Sequence, residues 1–347
     1  MRGVVEMAFG ERIKSARINA GLTQEALGRK LGVTKMAISK YENGTIAPNS
    51  TVLIALAKAL EVRPAYFFRA STIRLTKPVY RARKALSQKD ETHILGKTSD
   101  WLERYLLVEQ ITGSEKPLDL PDPESCRASS IDEIEDVVVR VREAWNLGLN
   151  PIENLMDVLE QHGIKVGVVQ GPVKFDALTM KYNNEHPLII VNKAFPGDRR
   201  RLNLAHELGH LLLNLDEGID EEAAAFRFAG AFLFPRQVAI AELGPKRRML
   251  DLRELYVLKH KYGISMGALI YRARNLGIIS EAAADRHWVE MRSHGWHVKE
   301  PGRPVKPEIP TQFELLLLRA LTENKISQSR FNELKGDESP LLAVPCE

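Results

Sequence analysis

His206-Glu207-Leu208-Gly209-His210 lies in the run RLNLAHELGHLLLN, whose apolar residues recur at helical spacing. On a helix, residues four apart share a face, so His206 and His210 can present two imidazoles to one point. This restricts what the neighbouring chain can fold into. The helix must be buried along Leu202, Ala205, Leu208, Leu212 and Leu213, and another element must close over the histidines. Zinc accepts neutral imidazole, and in catalytic sites it keeps one position open for water. Glu207 stands beside that position and is suited to take a proton from the water. A third ligand is needed. Glu222, twelve residues after His210, opens a second apolar run at 223–233, and the acidic stretch 216–220 reads as the reversal between two helices. Glu217 and Glu221 are rivals for the ligand role. A structural zinc site fits less well, because Glu207 has no part in it and cysteine ligands are expected there.

Charge divides the chain. Residues 1–91 carry 17 Lys and Arg against 7 Asp and Glu, whereas the remainder carries 32 against 38. A basic module on an acidic body points to a polyanion partner for the first part alone. The length of 347 residues suits two or three domains. No apolar run reaches the ~18 residues of a membrane span, and the N-terminus lacks the core of a signal peptide. Cys126 and Cys346 are far apart in sequence, which suits a reducing cytoplasm and excludes a disulfide framework.

The basic part reads as five short helices within 9–68. Gly21 and Gly32 stop the first two, and Thr23 and Thr34 cap the second and third. A helix, a tight glycine turn and another helix form a helix-turn-helix pattern. GLTQEALGRKLGVTKMAISKYENGTIAPNSTVLIALAKALEV resembles the Cro/phage-repressor class, also called the XRE family. The resemblance implies a lambda-repressor-like domain that binds operator DNA, with the third helix in the major groove. It places Gln24 at the groove's edge, Thr34, Lys35, Met36, Ser39 and Lys40 on the reading face, and Asn43 in the turn near the phosphates. Ala26, Leu27, Leu31, Val33, Ile38 and Leu56 form the implied core. Met36 departs from the small polar residue common there; it can touch a thymine methyl but makes no bidentate base contact. Arg12, Arg17 and Arg29 are weaker candidates for phosphate contact. Proteins of this class bind as dimers, so a homodimer is expected.

The metal motif and its surroundings resemble the ImmA/IrrE family of zinc metallopeptidases, in the subgroup with an N-terminal helix-turn-helix. Besides RLNLAHELGHLLLN, the resemblance rests on E-x-x-A-x-x-F-A at Glu222, Ala225, Phe228 and Ala229, then Leu233 and Pro235. It extends to W-x-L-G at Trp145–Gly148 and L-E-x-x-G-I at Leu159–Ile164. It implies Zn2+ as cofactor, His206, His210 and Glu222 as ligands, and Glu207 as catalytic base. The family carries Asn four residues after the ligand Glu; here that position is Phe226, so a hydrogen bond around the site is lost.

The expected architecture is multidomain. An all-α helix-turn-helix domain occupies 9–68, and a helical connector and linker occupy 69–130, with a helix at 101–111 and a Pro- and Ser-rich linker at 117–130. An α+β zincin-like metallopeptidase domain covers 131–300, and an arm with a final helical pair covers 301–347. Strands are expected at 165–169, 177–182 and 188–191, with 188–192 as an edge strand able to hold an extended peptide. Arg74, Lys77, Arg81, Arg83 and Lys84 form a basic segment that reads as a solvated face or else as a contact with the DNA backbone, and Arg199, Arg200 and Arg201 read as a solvated face. His162 and His186 read as surface or loop histidines. His260, Tyr262, Tyr271 and Arg272 are candidates to stabilise an oxyanion. The functional expectation is a cytoplasmic DNA-binding regulator whose peptidase domain cleaves a repressor or other regulatory protein. The alternative is a non-proteolytic repressor or antitoxin whose zinc domain senses a ligand or holds a partner such as a toxin.

Overall fold

Four helices and a 3-10 turn build the N-terminal unit: α1 (Arg2–Asn19), α2 (Gln24–Leu31), α3 (Lys35–Glu42), α4 (Ser50–Ala59) and the turn Pro64–Phe68. The structure, a computed structural model, describes residues 2–68, 73, 75, 76 and 86–336. The basic segment with Arg74, Lys77, Arg81, Arg83 and Lys84 lies outside the described residues, as does Cys346. Thr23, Thr34 and Asn49 each accept a backbone N–H three residues on, which satisfies one orphan donor of the helix that follows. Ile13, Leu27, Ile38, Leu56 and Phe67 meet in the core, with Leu31 and Val33 at its edge. Ala26, expected inside, is only half-buried in the first turn of α2.

A long helix, α5 (Gln88–Thr112), replaces the short one expected at 101–111. Its first half is mostly polar, so hydrophobic spacing did not mark it; Ile94 and Thr98 are buried there nonetheless. α5 packs against α1, and Arg12 and Glu103 join the two as a buried ion pair at 2.6 Å. Gly96 allows the close approach, since a Cβ there would lie 2.1 Å from Asn19 Oδ1.

The body follows. Residues 117–130 are not a free linker. They contain a 3-10 turn (Pro123–Cys126) and β1 (Arg127–Ala128), and Cys126 is buried. His162, expected at the surface, stacks on Trp145 at 4.3 Å and lies 2.9 Å from Asp119, pinning this segment. Then come α6 (Ile134–Ala144), α7 (Leu155–Gln161), β2 (Lys165–Val169), β3 (Ala177–Tyr182) and β4 (His186–Asn192). β4 runs parallel to β2 and antiparallel to β3, so the sheet order is β2-β4-β3. The stretch 188–192 is therefore central and cannot take a peptide. Among the described residues β2 and β3 are the two edge strands, and Leu75 and Thr76 already pair with Tyr182 and Lys181 at one end of β3. All five residues of 188–192 are buried, but so are four of the five in the edge strand β2, so burial alone does not separate a middle strand from an edge covered by helices.

α8 (Gly197–Leu212), β5 (Asn214–Leu215) and α9 (Glu221–Leu233) form the metal-motif hairpin, and β5 pairs with β1. α10 (Arg236–Leu243), α11 (Leu252–Tyr262), α12 (Met266–Asn275) and α13 (Glu281–Ser293) complete the body. Arg200 and Arg201 are buried, contrary to the expected solvated face. Arg200 donates to the Phe195 carbonyl, and Arg201 pairs with Glu308 of the C-terminal arm. That arm is a strap: Asn154 donates to the Ile309 carbonyl, and Thr311 donates to Asp157. α14 (Gln312–Thr322) and α15 (Gln328–Lys335) then pack on α5. Among the described residues, no helix is long and apolar enough to cross a membrane.

Candidate metal centre and DNA-facing helix

α8 and α9 lie side by side on a core of Leu204, Leu208, Phe228 and Phe232. Gly209, one of the unspecified positions within the motif, sets how closely they approach. A Cβ there would sit 3.2 Å from Ala225 Cα and from Phe228 Cβ. Asp220 caps α9, accepting from the backbone N–H of Glu222 and Ala223 at 2.9 and 3.1 Å, and so fixes where Glu222 leaves the helix.

Three side chains converge. His206 Nε2 and His210 Nε2 are 3.1 Å apart, and Glu222 reaches them with one oxygen each, at 3.5 and 3.2 Å. Every separation is shorter than twice a Zn–N or Zn–O bond of about 2.0–2.2 Å, so one ion can touch all three. Two imidazole nitrogens aimed at each other and at one carboxylate are the donor set of a divalent metal, so the residues fit zinc. Glu217 and Glu221, the rivals, are not part of the cluster. The histidine side chains are about 10% exposed and Glu222 is 42% exposed, so the open side of the centre is beside the carboxylate.

Glu207 leaves α8 on the side toward the sheet, where Thr179 Oγ1 of β3 donates to its Oε2 at 2.6 Å. The contact aims the carboxylate and adds a neighbour that spacing cannot find, since 28 residues separate the two. Phe226 lies against His206 with ring centroids 4.2 Å apart and is 42% exposed. An apolar ring thus stands at the lip of the centre where the resemblance expects an amide. Two of the four oxyanion candidates are committed elsewhere. Arg272 is buried against Glu135 and the Phe234 carbonyl, and Tyr262 donates to Glu242. Tyr271 lies near Trp288 and His260 near Tyr256. Burial of Arg272, opposed by its pairing with Glu135, leaves its pKa below the usual guanidinium value. Glu135 also accepts from Arg227 of α9, so this buried network joins α6, α9 and α12 beneath the metal-motif hairpin.

On the N-terminal unit, Thr34, Lys35, Met36, Lys40 and Asn43 are exposed and Ser39 is half-buried. Met36 is 68% exposed, an apolar group that the described residues leave largely uncovered. Asn43 Nδ2 lies 3.5 Å from Ser39 Oγ. Gln24 is less free than expected: its amide donates to Glu42 at 2.8 Å. Glu42 is itself buried and held by Arg17 through two contacts of 2.5 and 3.0 Å. Arg17 also donates to the Leu22 carbonyl, and Arg12 is buried against Glu103. Two of the three proposed phosphate-contacting arginines are therefore interior ties. Arg29 remains exposed.

A helix-turn-helix family profile matches residues 13–67, and an IrrE N-terminal-like domain profile, from a peptidase family, matches residues 159–274. The first covers α2 and α3, and the second covers the sheet and the α8–α9 hairpin. The repressor protein C2 of Salmonella phage P22 is 41% identical over 61 residues, 18% of this chain and 28% of that protein. A helix-turn-helix-type transcriptional regulator of Sinorhizobium fredii is 39% identical over 64 residues, 18% of this chain and 45% of that protein. The chain thus spans less than half the length of these relatives. A solved structure of the P22 c2 repressor bound to a synthetic operator is 41% identical over 18% of this chain and 92% of that chain, with a TM-score of 0.17.

Proposed function

We propose that this chain, which carries a helix-turn-helix domain and an IrrE N-terminal-like domain, is a transcriptional regulator with a zinc-dependent endopeptidase of zincin-like architecture. The observation that supports it most is the convergence of His206, His210 and Glu222 with Glu207 held beside them by Thr179. Bound zinc supplies Lewis acidity toward a carbonyl and lowers the pKa of a water. The two histidines and Glu222 hold the ion. Glu207 accepts the proton of the attacking water at its carboxylate and later returns it to the leaving amine nitrogen. Thr179 keeps that carboxylate turned toward the centre. The open side of β3 is suited to lay an extended peptide across the site by backbone hydrogen bonds. The substrate is a repressor or another regulatory protein, and cleavage changes transcription in the cytoplasm. At the other end, Lys35, Met36, Ser39, Lys40 and Asn43, exposed or half-buried, face operator DNA, which a homodimer reads as two half-sites.

Phe226 favours a second reading. Its ring leans on His206 and offers an apolar surface at the lip of the centre, which suits a docking platform or a sensor without proteolysis. Glu207→Gln separates the two, because the amide keeps the size of the side chain but takes no proton. Under the first reading, target cleavage falls by about 10²–10⁴-fold, with zinc content and DNA affinity retained, and reporter-gene control fails. Wild-type control by Glu207→Gln sinks the proteolytic reading.

A further inference from the structure

α9 presents its aromatic residues in two ways. Phe228 and Phe232 are fully buried in the core, whereas Phe226 is 42% exposed and lies outside it. Exposure alone means little, since single apolar residues stand on every protein surface. Its place is what distinguishes Phe226. It follows Glu222 by four residues, so the two share a face of α9. That face borders the open side of the candidate metal centre, where Glu222 is itself 42% exposed. The Phe226 ring lies against the His206 ring, with centroids 4.2 Å apart and a tilt of 44°.

The centre is therefore approached from two elements. Glu207 turns toward β3, where Thr179 holds it, and Phe226 comes from α9 to His206. The 4.2 Å between the two rings is close to the ~3.8 Å between consecutive Cα atoms of a peptide. A carbonyl held at the metal thus brings the side chain of an adjoining residue within reach of the Phe226 face. In an extended peptide successive side chains point to opposite sides, so one of the residues at that carbonyl turns toward α9 while its neighbour turns away. The ring favours apolar surface there, above all another ring in an offset or edge-on contact. A cation also suits an aromatic face, but a divalent ion on His206 stands beside this one and opposes a second positive charge.

We infer that Phe226 selects the peptide at this centre: it takes an apolar, preferably aromatic, side chain from a residue adjoining the carbonyl held at the metal. The inference rests on the metal centre of the proposed function and adds its specificity. It holds whether the peptide is then cut or only held. Phe226 has no part in the proton transfer assigned to Glu207.

Calorimetric titration of the zinc-loaded full chain with hydroxamates tests it, since a hydroxamate anchors on zinc and carries its tail past the ion. Acetohydroxamate has no tail, 3-phenylpropanohydroxamate ends in a phenyl ring, and 5-aminopentanohydroxamate ends in an ammonium at similar reach. The phenyl probe is expected to bind about tenfold tighter than acetohydroxamate, the effect of taking one face of a phenyl group out of water, and the ammonium probe is expected to gain less. In Phe226→Ala the ratio of the phenyl and acetohydroxamate constants should fall toward unity. Should alanine loosen the centre and release zinc, Phe226→Asn keeps a side chain beside His206 and should lower the ratio in the same way. A wild-type ratio near unity, a ratio that survives in the variants, or tighter binding of the ammonium probe than of the phenyl probe overturns the inference while the metal centre stands. If acetohydroxamate does not bind the zinc-loaded wild type, the metal centre itself fails and the inference falls with it.

Discussion

The candidate metal centre and the candidate DNA-facing helix are each built on a pair of helices, yet they treat their polar side chains in opposite ways. At the α8–α9 hairpin, packing drives the groups together. Leu208 and Phe228 are fully buried, Gly209 lets the helices close, and His206, His210 and Glu222 end within 4.8 Å of one another. On α2 and α3, packing does the reverse. Ile38 and Leu27 anchor the core while Lys35, Met36 and Lys40 point away from it into solvent. The site proposed to hold a small ion is finished within the chain, whereas the one proposed to read a long polymer is left for the polymer to finish. The energetics differ accordingly. On that proposal, disturbing the first breaks a set of three ligands, and disturbing the second removes one contact among many.

His206→Ala is the sharpest way to break the comparison. It removes one of three ligands from a set with no spare donor of its kind. Purified protein is expected to fall from near one zinc per chain to a small fraction of that by elemental analysis, while salt-dependent DNA binding stays as it was. Full occupancy in the variant would remove the convergence argument.

Gly209→Ala has a smaller expected effect and probes the packing that closes the centre. The added methyl lands 3.2 Å from Ala225 Cα, inside the ordinary contact distance of about 3.5–4.0 Å, so α9 must yield and carry Glu222 with it. Zinc affinity in competition with a chelator should drop by about tenfold, the low end of what loss of a supporting contact costs. An unchanged affinity means that Glu222 is positioned by Asp220 alone.

The difference between the regions also explains what the sequence did and did not disclose. The histidine pair is legible because a helix's period relates its members, a local rule, whereas Glu222 stood beside Glu217 and Glu221 until the resemblance singled it out. Thr179 was hidden because its partner Glu207 is on another layer of the fold. The middle position of β4 was missed for a related reason: a run of apolar residues says that a strand is buried but not which neighbours bury it. Helix caps at Thr23 and Thr34 were legible, and both accept the bonds expected of them. α5 was half-seen because its N-terminal half buries Ile94 and Thr98 among polar residues, and α1 covers it through Gly96. The arginines were the least legible. Arg12, Arg17, Arg200 and Arg201 look alike in a charge count, yet each is tied into an interior pair or to carbonyls, because a guanidinium can bury its stem and still satisfy its donors.

On the DNA-facing side, Lys35→Ala is expected to cost about 1–3 kcal/mol on the preferred operator and to relax selectivity at one base pair, as measured by binding to a panel of single-base variants. Lys35 is exposed in the first turn of α3, the end that enters the groove in this class of domain. Equal losses on all sequences would move Lys35 from base reading to backbone contact.

The smallest effect concerns Arg29, and it needs a control from inside the same unit. Arg29 is exposed near the end of α2, whereas Arg17 is bound to Glu42 and the Leu22 carbonyl. A phosphate contact releases about one counterion, so Arg29→Ala should weaken every duplex alike and lower the slope of log K against log salt by roughly one. Melting temperature should hardly change, because surface substitutions cost at most about 0.5 kcal/mol. Arg17→Ala should behave in the opposite way. Glu42 is buried, and losing its partner leaves a charge without compensation, so the domain melts lower by an amount corresponding to a few kcal/mol. Its salt slope should stay the same wherever the domain remains folded. If instead Arg17→Ala lowers the slope with no loss of stability, the Arg17–Glu42 pair opens on DNA, and the N-terminal face has a contact that the free protein conceals.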